Sequence, residues 1–524
     1  MFKSLASKIN GITNQNLLII LVSIVVLQPI LDLDYLLYGF LNQFGIPLPS
    51  TIIYFIFYPI IILLVFLLKE QKKIRLFLFV SLYGVFILTY FVLHHLYVQG
   101  NFEQLYLTNR YVYSMFSEFQ YMLTLIIPIG LVYAFFRGEI DKNWINKIAI
   151  VTSLLIAVPI FISNLLVFSP STYYDGPTKA NFISWFLNGY EMYHPKSLTS
   201  QFYFSEGNTT GIILFAIYPI LIRQIFIKST KSKWITFLVF IQGWSMYILA
   251  TRVATYGVVL MLGLVLGLYV FLVLLKKEQW QLFPFSLVLA MTILFYFALP
   301  YTPAIKNLAI DNRNDQAVKD DEYLRLQWKD TVNNTDLIPG SAQYNYFYQH
   351  MFEDYNFLLT IPDIYWEWYY PYKIDPKFYV DLIFDYDFYQ RTSGRQFQQI
   401  FFEYKWKNLS EYEKLLGFGY SRFMNGSILL EQDFVMQKYT MGYLGAFLLT
   451  SPWVFISILI VGQSIRKIKY IFNFDLMIAL VAFFSILGGA YLSGHILDQF
   501  FSSTFLALFG GYLIYSLNKL EKHN

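Results

Sequence analysis

Long apolar stretches, interrupted by polar loops, recur along the 524 residues at 17–31, 52–68, 77–93, 121–136, 148–168, 208–222, 234–249, 257–275, 282–299, 439–461, 476–492 and 500–517. A helix needs about 20 predominantly apolar residues to cross the hydrocarbon core of a bilayer. The shorter stretches reach that length only with their flanks. The pattern predicts an all-α polytopic membrane protein of about 12 transmembrane helices. Polar residues gather in two long intervals, 169–205 and 300–436. The chain therefore divides into 1–299 (helices 1–9 with the loop 169–205), a separate domain at 300–436, and 437–524 (helices 10–12).

Composition agrees with this division. Hydrophobic residues make up 56% and charged residues 14%, against roughly 25% charge in soluble domains. The net charge of +4 matters less than its placement. Basic clusters fall in alternate loops: Lys69, Lys72, Lys73 and Arg75; Arg137, Lys142 and Lys147; Arg223, Lys228, Lys231 and Lys233. Lys276 with Lys277, then Arg466, Lys467 and Lys469, then Lys519 and Lys522 continue the alternation. The positive-inside rule places them in the cytoplasm, together with Lys3 and Lys8. Both termini are then inside, and 169–205 and 300–436 are outside the cell membrane. Topology accounts for the basic residues, so nucleic acid is not an expected partner. The absence of cysteine excludes disulfides and thiolate metal sites. The first apolar run is followed by Asp32 and Asp34 rather than a small-residue cleavage site, so it reads as a retained span.

The interval 300–436 is polar yet dense in aromatic residues, as at 344–348 and 365–372. Such rings can stack on sugars or lie at the bilayer surface. Equally, they can form the core of a small extracytoplasmic helical domain. Residues 393–416 have helix-like spacing and end at Gly417-Phe418-Gly419, a turn signal.

Four stretches carry candidate chemistry, all at outer helix ends or in the outer domain. In Ala250-Thr251-Arg252-Val253-Ala254-Thr255-Tyr256-Gly257, Arg252 sits in a tight connection between two spans. A guanidinium there is either an anion clamp, since it matches phosphate oxygens bidentately, or a snorkelling side chain. In Thr392-Ser393-Gly394-Arg395, a Ser cap at a helix start favours anions and Arg395 adds a full charge. The alternative is an ordinary cap with a surface Arg. Glu431 and Asp433 precede a span containing Gly442 and Gly445. Acids there can supply a general base or bind a cation, or merely favour a helix start, and the glycines permit close helix packing. Finally, Phe204-Ser205-Glu206-Gly207-Asn208 opens the span containing Pro219; Asn208 reads as a cap and Glu206 as a group facing the same cavity, or as a solvated acid.

Weaker candidates are the Asp32/Asp34 pair, which is the pattern of a metal-assisted sugar transferase, and His495 with Asp498 in the last outer loop. His94 and His95, at an outer interface, read as structural. No P-loop, dinucleotide fingerprint or nucleophile elbow is present. An ATP-driven pump is therefore not expected.

Taken in order, these stretches resemble the O-antigen ligase and O-antigen polymerase superfamily of bacterial surface-polysaccharide enzymes. Residues 205–211 with Pro219 resemble its Asn-containing helix start, and 250–257 its Thr-Arg or Thr-Lys turn. Ser393-Gly394-Arg395 resembles its Ser-Gly-Arg segment, and 413–420 the Gly-x-Gly segment that follows. Glu431-x-Asp433 with Gly442 and Gly445 resembles an acidic variant of its last motif, where ligases typically carry a His in place of Glu431. The likeness covers roughly residues 200–450.

The resemblance implies a membrane glycosyltransferase of the GT-C type, a donor glycan on a polyprenyl pyrophosphate, and neither metal nor cofactor. It implies pyrophosphate binding by Arg252 and Arg395, catalysis by Glu431 or Asp433, and substrate contacts by Glu206 and Asn208. The substitution of Glu431 for His shifts the expectation toward a polymerase that extends lipid-linked repeat units, with a ligase as the alternative. The partners implied are the lipid-linked oligosaccharide, membrane lipid, and a chain-length regulator or flippase. A non-enzymatic transporter is a third class. It should place polar groups near the bilayer midplane and show related halves, whereas here charges sit at outer helix ends and no matched halves are seen.

Overall fold

The computed structural model describes residues 14–69, 73–100, 113–173, 176–227, 232–311, 322–328, 330–331, 337–359, 361–386, 394–420 and 430–520. Each apolar stretch forms a helix. They are α1 Asn14–Val26, α2 Pro49–Lys69, α3 Lys73–Gly100, α4 Met115–Arg137, α5 Lys142–Leu165 and α6 Gly207–Ile225. They continue with α7 Lys233–Leu249, α8 Arg252–Leu274, α9 Leu282–Ala298, α10 Asp433–Arg466, α11 Phe474–Leu492 and α12 Phe500–Lys519. Among the described residues the one β-type pairing is an isolated bridge between Ser171 and Phe202. The protein is an all-α polytopic membrane protein.

The number of spans departs from the expected twelve. Among the described residues, 10 helices are long and apolar enough to cross a membrane, and 11 if α1 and the following Gln28–Asn42, bent by 44°, act as one span. Pro29 at the start of the second piece accounts for the bend, because its ring cannot donate to the helical ladder. The remaining helix, α7, is apolar but short. It packs against α5, α6 and α8, and buries Leu238, Val239, Met246, Tyr247 and Ile248.

The chain forms two compact units. The first comprises residues 1–81, 122–310 and 449–524. Its centre is α6, flanked by α5, α7, α8, α11 and α12. Every residue of α6 except Asn208 and Arg223 is buried, as expected of a helix that is apolar all round. Close approach depends on glycine. A Cβ on Gly211 would lie 2.7 Å from Thr251 Oγ1, and one on Gly489 would lie 2.5 Å from Ile212 Cδ1. At the far end of α6, Arg223 Nε meets Asp475 Oδ1 at 3.1 Å and its Nη2 meets Glu278 Oε1 at 3.4 Å. Its guanidinium also lies over the Phe474 ring, 4.5 Å from the centroid.

The second unit comprises residues 82–121 and 311–448. Helices Ala342–Tyr355, Pro376–Asp385 and Gly394–Lys407 enclose Phe352, Tyr370, Phe378, Tyr379, Phe397 and Phe401, all fully buried or nearly so. Part of the aromatic density read from the sequence is thus core, Tyr348 and Tyr370 of the two clusters included; Tyr346, Phe357 and Trp368 are exposed. Lys405 lies 4.1 Å above the Tyr370 ring, and burial pushes its amine down to about 8. The helix expected over 393–416 is interrupted. Gly394–Lys407 ends, and Ser410 starts a second helix, Glu411–Leu416, through a capping box with Glu413. The hydrogen bonds from Ser410 hold the Glu413 carboxyl below its usual range.

That second helix ends against α10. Phe418 and Gly419 donate their N–H groups to the carbonyls of Tyr439 and Thr440, at 2.8 and 2.7 Å. They reach them because α10 is broken at Gly442, whose φ is 66°. Gly442 is therefore a break, not the helix-packing surface expected from sequence; that role falls to Gly445, which abuts the Tyr90 ring. His94 Nδ1 donates to the Leu416 carbonyl at 2.7 Å while Nε2 lies 3.3 Å from Glu118 Oε2, so the end of the short helix is tied to α3 and α4.

A Cβ on residue 442 would sit 2.4 Å from the Leu415 carbonyl oxygen, at a left-handed φ. Gly442→Ala should cost about 1–3 kcal/mol, read as a lowered thermal midpoint in detergent. Gly462→Ala, where a Cβ meets nothing within 4 Å, should be nearly neutral.

Candidate functional site

The first unit gathers several polar groups where α6, α8 and α12 begin, where α11 finishes, and just after the short helix Gln28–Leu31 that follows α1. Helix starts carry unsatisfied N–H groups and a positive dipole end. Thr251 caps α8 by accepting from Ala254 N at 3.3 Å. Ala250, at φ 57°, makes the sharp turn from α7. Arg252 is consequently the first residue of α8. Its side chain is exposed, and no ion pair or hydrogen bond to it is found among the described residues.

α6 starts differently from expectation. Asn208 does not cap it: Asn208 is the second helical residue, and Glu206 occupies the cap position without a side-chain bond to the backbone. The glycine at 207 explains the shift. A Cβ there would lie 2.6 Å from Gln201 Nε2, so the chain enters the helix pressed against the preceding loop. Glu206 instead accepts from the Thr209 hydroxyl at 3.1 Å and from Gln499 Nε2 at 3.4 Å. Burial raises its carboxyl above the ordinary value, with His495 opposing and Asp498 and Asp32 reinforcing the shift.

Asp32 and Asp34 diverge. Asp32 accepts from Ser205 N and Oγ at 3.0 and 2.7 Å, whereas Asp34 accepts from Ser50 N at 2.5 Å. They anchor two different loops, which explains the pair without a shared metal. Among the described residues no group of three or more His, Asp or Glu is placed to hold a metal ion. His495 and Asp498, weak in the sequence, join the cluster. The Thr209 hydroxyl, whose one proton is shared with Glu206, also lies 3.2 Å from the His495 carbonyl, and His495 Nδ1 lies 3.0 Å from Asp498 Oδ2. The only signal in the sequence was their spacing of three residues in a short loop.

The remaining expected residues belong to the second unit. Arg395 is the second residue of helix Gly394–Lys407; its side chain, and Thr392 and Ser393, lie outside the described residues. Asp433 is the first residue of α10, with 1% of its surface exposed, and Glu431 precedes it half-buried.

A helical membrane protein with an exposed cation at one helix start and a cluster of carboxylates at the next has the groups needed to hold an anionic, hydroxyl-rich substrate. The family model for O-antigen ligase-like membrane proteins matches residues 13–520, and the chain belongs to that family. It is an integral membrane enzyme acting on surface polysaccharide, and its substrate is lipid-linked polysaccharide. Neither curated proteins nor solved structures gave a significant match.

Because the Glu206 carboxyl is raised above its ordinary 4.5, the folded state holds its proton more tightly than the unfolded chain. Its favourable contribution is present below about pH 4.5 and lost as pH rises through the raised value. Glu206→Gln should therefore unfold at a higher temperature than wild type at pH 7, with the gap closing toward pH 4, as followed by thermal unfolding in nanodiscs.

Proposed function

We propose that this chain is a metal-independent, GT-C-type glycosyltransferase that polymerises polyprenyl-pyrophosphate-linked repeat units of a cell-surface polysaccharide. On this reading it works on the outer face of the plasma membrane, with both termini cytoplasmic, beside a flippase or chain-length regulator. The observation that carries the reading is Arg252, an exposed cation without a partner among the described residues, at the start of a capped helix in a chain with only 14% charge. An ion at a membrane boundary is costly unless it is paired or hydrated, and a phosphate would pair with it.

In the proposed step, an acceptor hydroxyl oxygen forms a bond to the anomeric carbon of the donor. The bond from that carbon to the phosphate oxygen breaks, and its electron pair leaves with the lipid pyrophosphate. Arg252 meets the growing negative charge, helped by the α8 dipole. Arg395 is assigned the same duty on the sequence resemblance. Glu206 and Asn208 bind sugar hydroxyls. Of the two acids at the start of α10, Asp433 is buried, so Glu431 is the one assigned to the acceptor hydroxyl, as ligand or base. Ligation to a different acceptor is the second reading, favoured by the family's description.

Purified protein in nanodiscs, given a single lipid pyrophosphate-linked repeat unit, should produce a ladder of lengthening glycans. Arg252→Ala and Arg395→Ala should each lower the rate about 10²–10³-fold. Donor that stays intact until a different acceptor is added would identify a ligase. Donor never consumed would overturn the transferase reading.

A further inference from the structure

Asn164, next to the last residue of α5, is fully buried and spends its amide on the loop that leads to α6. Its Oδ1 accepts from Phe182 N at 2.8 Å, and its Nδ2 donates to the Leu198 carbonyl at 3.3 Å. Asn181 Nδ2 donates back to the Leu165 carbonyl at 3.2 Å. The short turn Phe182–Phe186 is thereby drawn back along the bundle. The Phe182 ring lies 5.7 Å from that of Phe161 on α5 and 5.0 Å from that of Trp244 on α7. Phe161 and Trp244 stand a turn or more inside the ends of their helices, about 6–7 Å toward the bilayer centre at the α-helical rise. The same turn leaves apolar side chains uncovered. Ile183, Phe186 and Leu187, the last at 69%, are exposed, as are Ile162 and Leu166 at the end of α5.

We propose that the 182–187 turn is a shallow wedge in the bilayer, and that the partner of its exposed side chains is the lipid of one leaflet. α5, with 24 residues, is about 36 Å long, a few ångström more than a hydrocarbon core of about 30 Å. A segment set about 6–7 Å inside its end therefore meets the boundary of headgroups and acyl chains, the depth at which interfacial elements bury their apolar face. Irregular backbone at that depth must have its polar groups satisfied. Here Phe182 N and Ile183 N are held by the side chains of Asn164 and Asn181, and Ser184 N and Leu187 N by carbonyls of the turn. Aromatic and lysine side chains flank the wedge, as they do at membrane interfaces. Phe186 packs 5.1 Å from Tyr301, beyond the end of α9, and Lys306 Nζ lies 5.9 Å from the Tyr301 and Tyr190 rings. The loop runs on into α6, with Ser200 N donating to the Ile248 carbonyl at 3.2 Å and Gln201 pressed against Gly207. The wedge thus fixes the level of the α6 start, and of Glu206, relative to the leaflet.

The chain has no cysteine, so one introduced thiol carries a nitroxide without background. The test uses the full-length protein in nanodiscs, with Ile183→Cys and Leu187→Cys as probes and Lys179→Cys as the water-exposed control. Two probes are used so that a variant that fails to fold leaves the other to decide. At 183 and 187, relaxation by oxygen, which concentrates among acyl chains, should exceed relaxation by a water-soluble nickel chelate. At 179 the order should reverse. Labels at 183 and 187 reached by nickel as readily as the label at 179 would overturn the proposal, because the turn would then stand in water. Immobile labels reached by neither relaxant would overturn it too, in favour of a protein partner on this face.

Discussion

The contact between Gly211 of α6 and Thr251 ahead of α8 sets the geometry of the candidate site. In a bilayer two helices gain little by burying apolar side chains from lipid, so their approach is governed by packing and by satisfied polar groups. Gly211 lets the Thr251 side chain sit against the α6 backbone, and Thr251 in turn caps α8. One residue thus places the start of α8 beside the start of α6. A bulkier residue at 211 would displace the cap, and Arg252 follows that cap directly. Glu206, one turn earlier on α6, is tied by Gln499 and Thr209 to the connection that carries His495.

Much of the fold was legible because hydropathy acts over whole helices. All twelve apolar stretches became helices, although α1 and α7 are too short to count as spans by themselves. What hydropathy could not reveal was the break at Gly442. A glycine pair inside an apolar run reads equally as a packing surface or a hinge. The difference lies in a partner far along the chain, since the N–H groups of Phe418 and Gly419 occupy the carbonyls exposed by the break. Likewise, nothing in the spacing of 82–121 shows that it belongs with 311–448 in one compact unit.

At the candidate site the sequence picked out residues by type and spacing, and the structure shows how each of the described ones is held. Thr251 and Arg252 were singled out because a charged residue has little room in so short a connection, and the structure makes Thr251 the cap of α8 and Arg252 its first residue. Asn208 was misread as a cap because side-chain identity alone suggested it, whereas the tight approach of Gly207 to Gln201 decides where the helix begins. Asp32 and Asp34 looked like a metal-binding pair. Hydrogen bonding sends each to a different serine. His495 and Asp498 were nearly invisible, because their significance comes from the neighbouring carboxylate of Glu206, almost 300 residues away in sequence.

The two ends of α6 supply a comparison internal to the protein. Arg223 and Arg252 lie in the same compact unit, on adjacent helices of one bundle. Arg223 meets Asp475 and Glu278 and lies over Phe474, with only 12% of its side chain exposed. Its charge is consumed by structure. Arg252 is exposed, with no ion pair or hydrogen bond among the described residues, while the acids at the neighbouring helix ends are engaged elsewhere: Asp32 with Ser205, Glu206 with Thr209 and Gln499, and Asp498 with His495. The charge of Arg252 is therefore not consumed by an ion pair among the described residues, as that of Arg223 is.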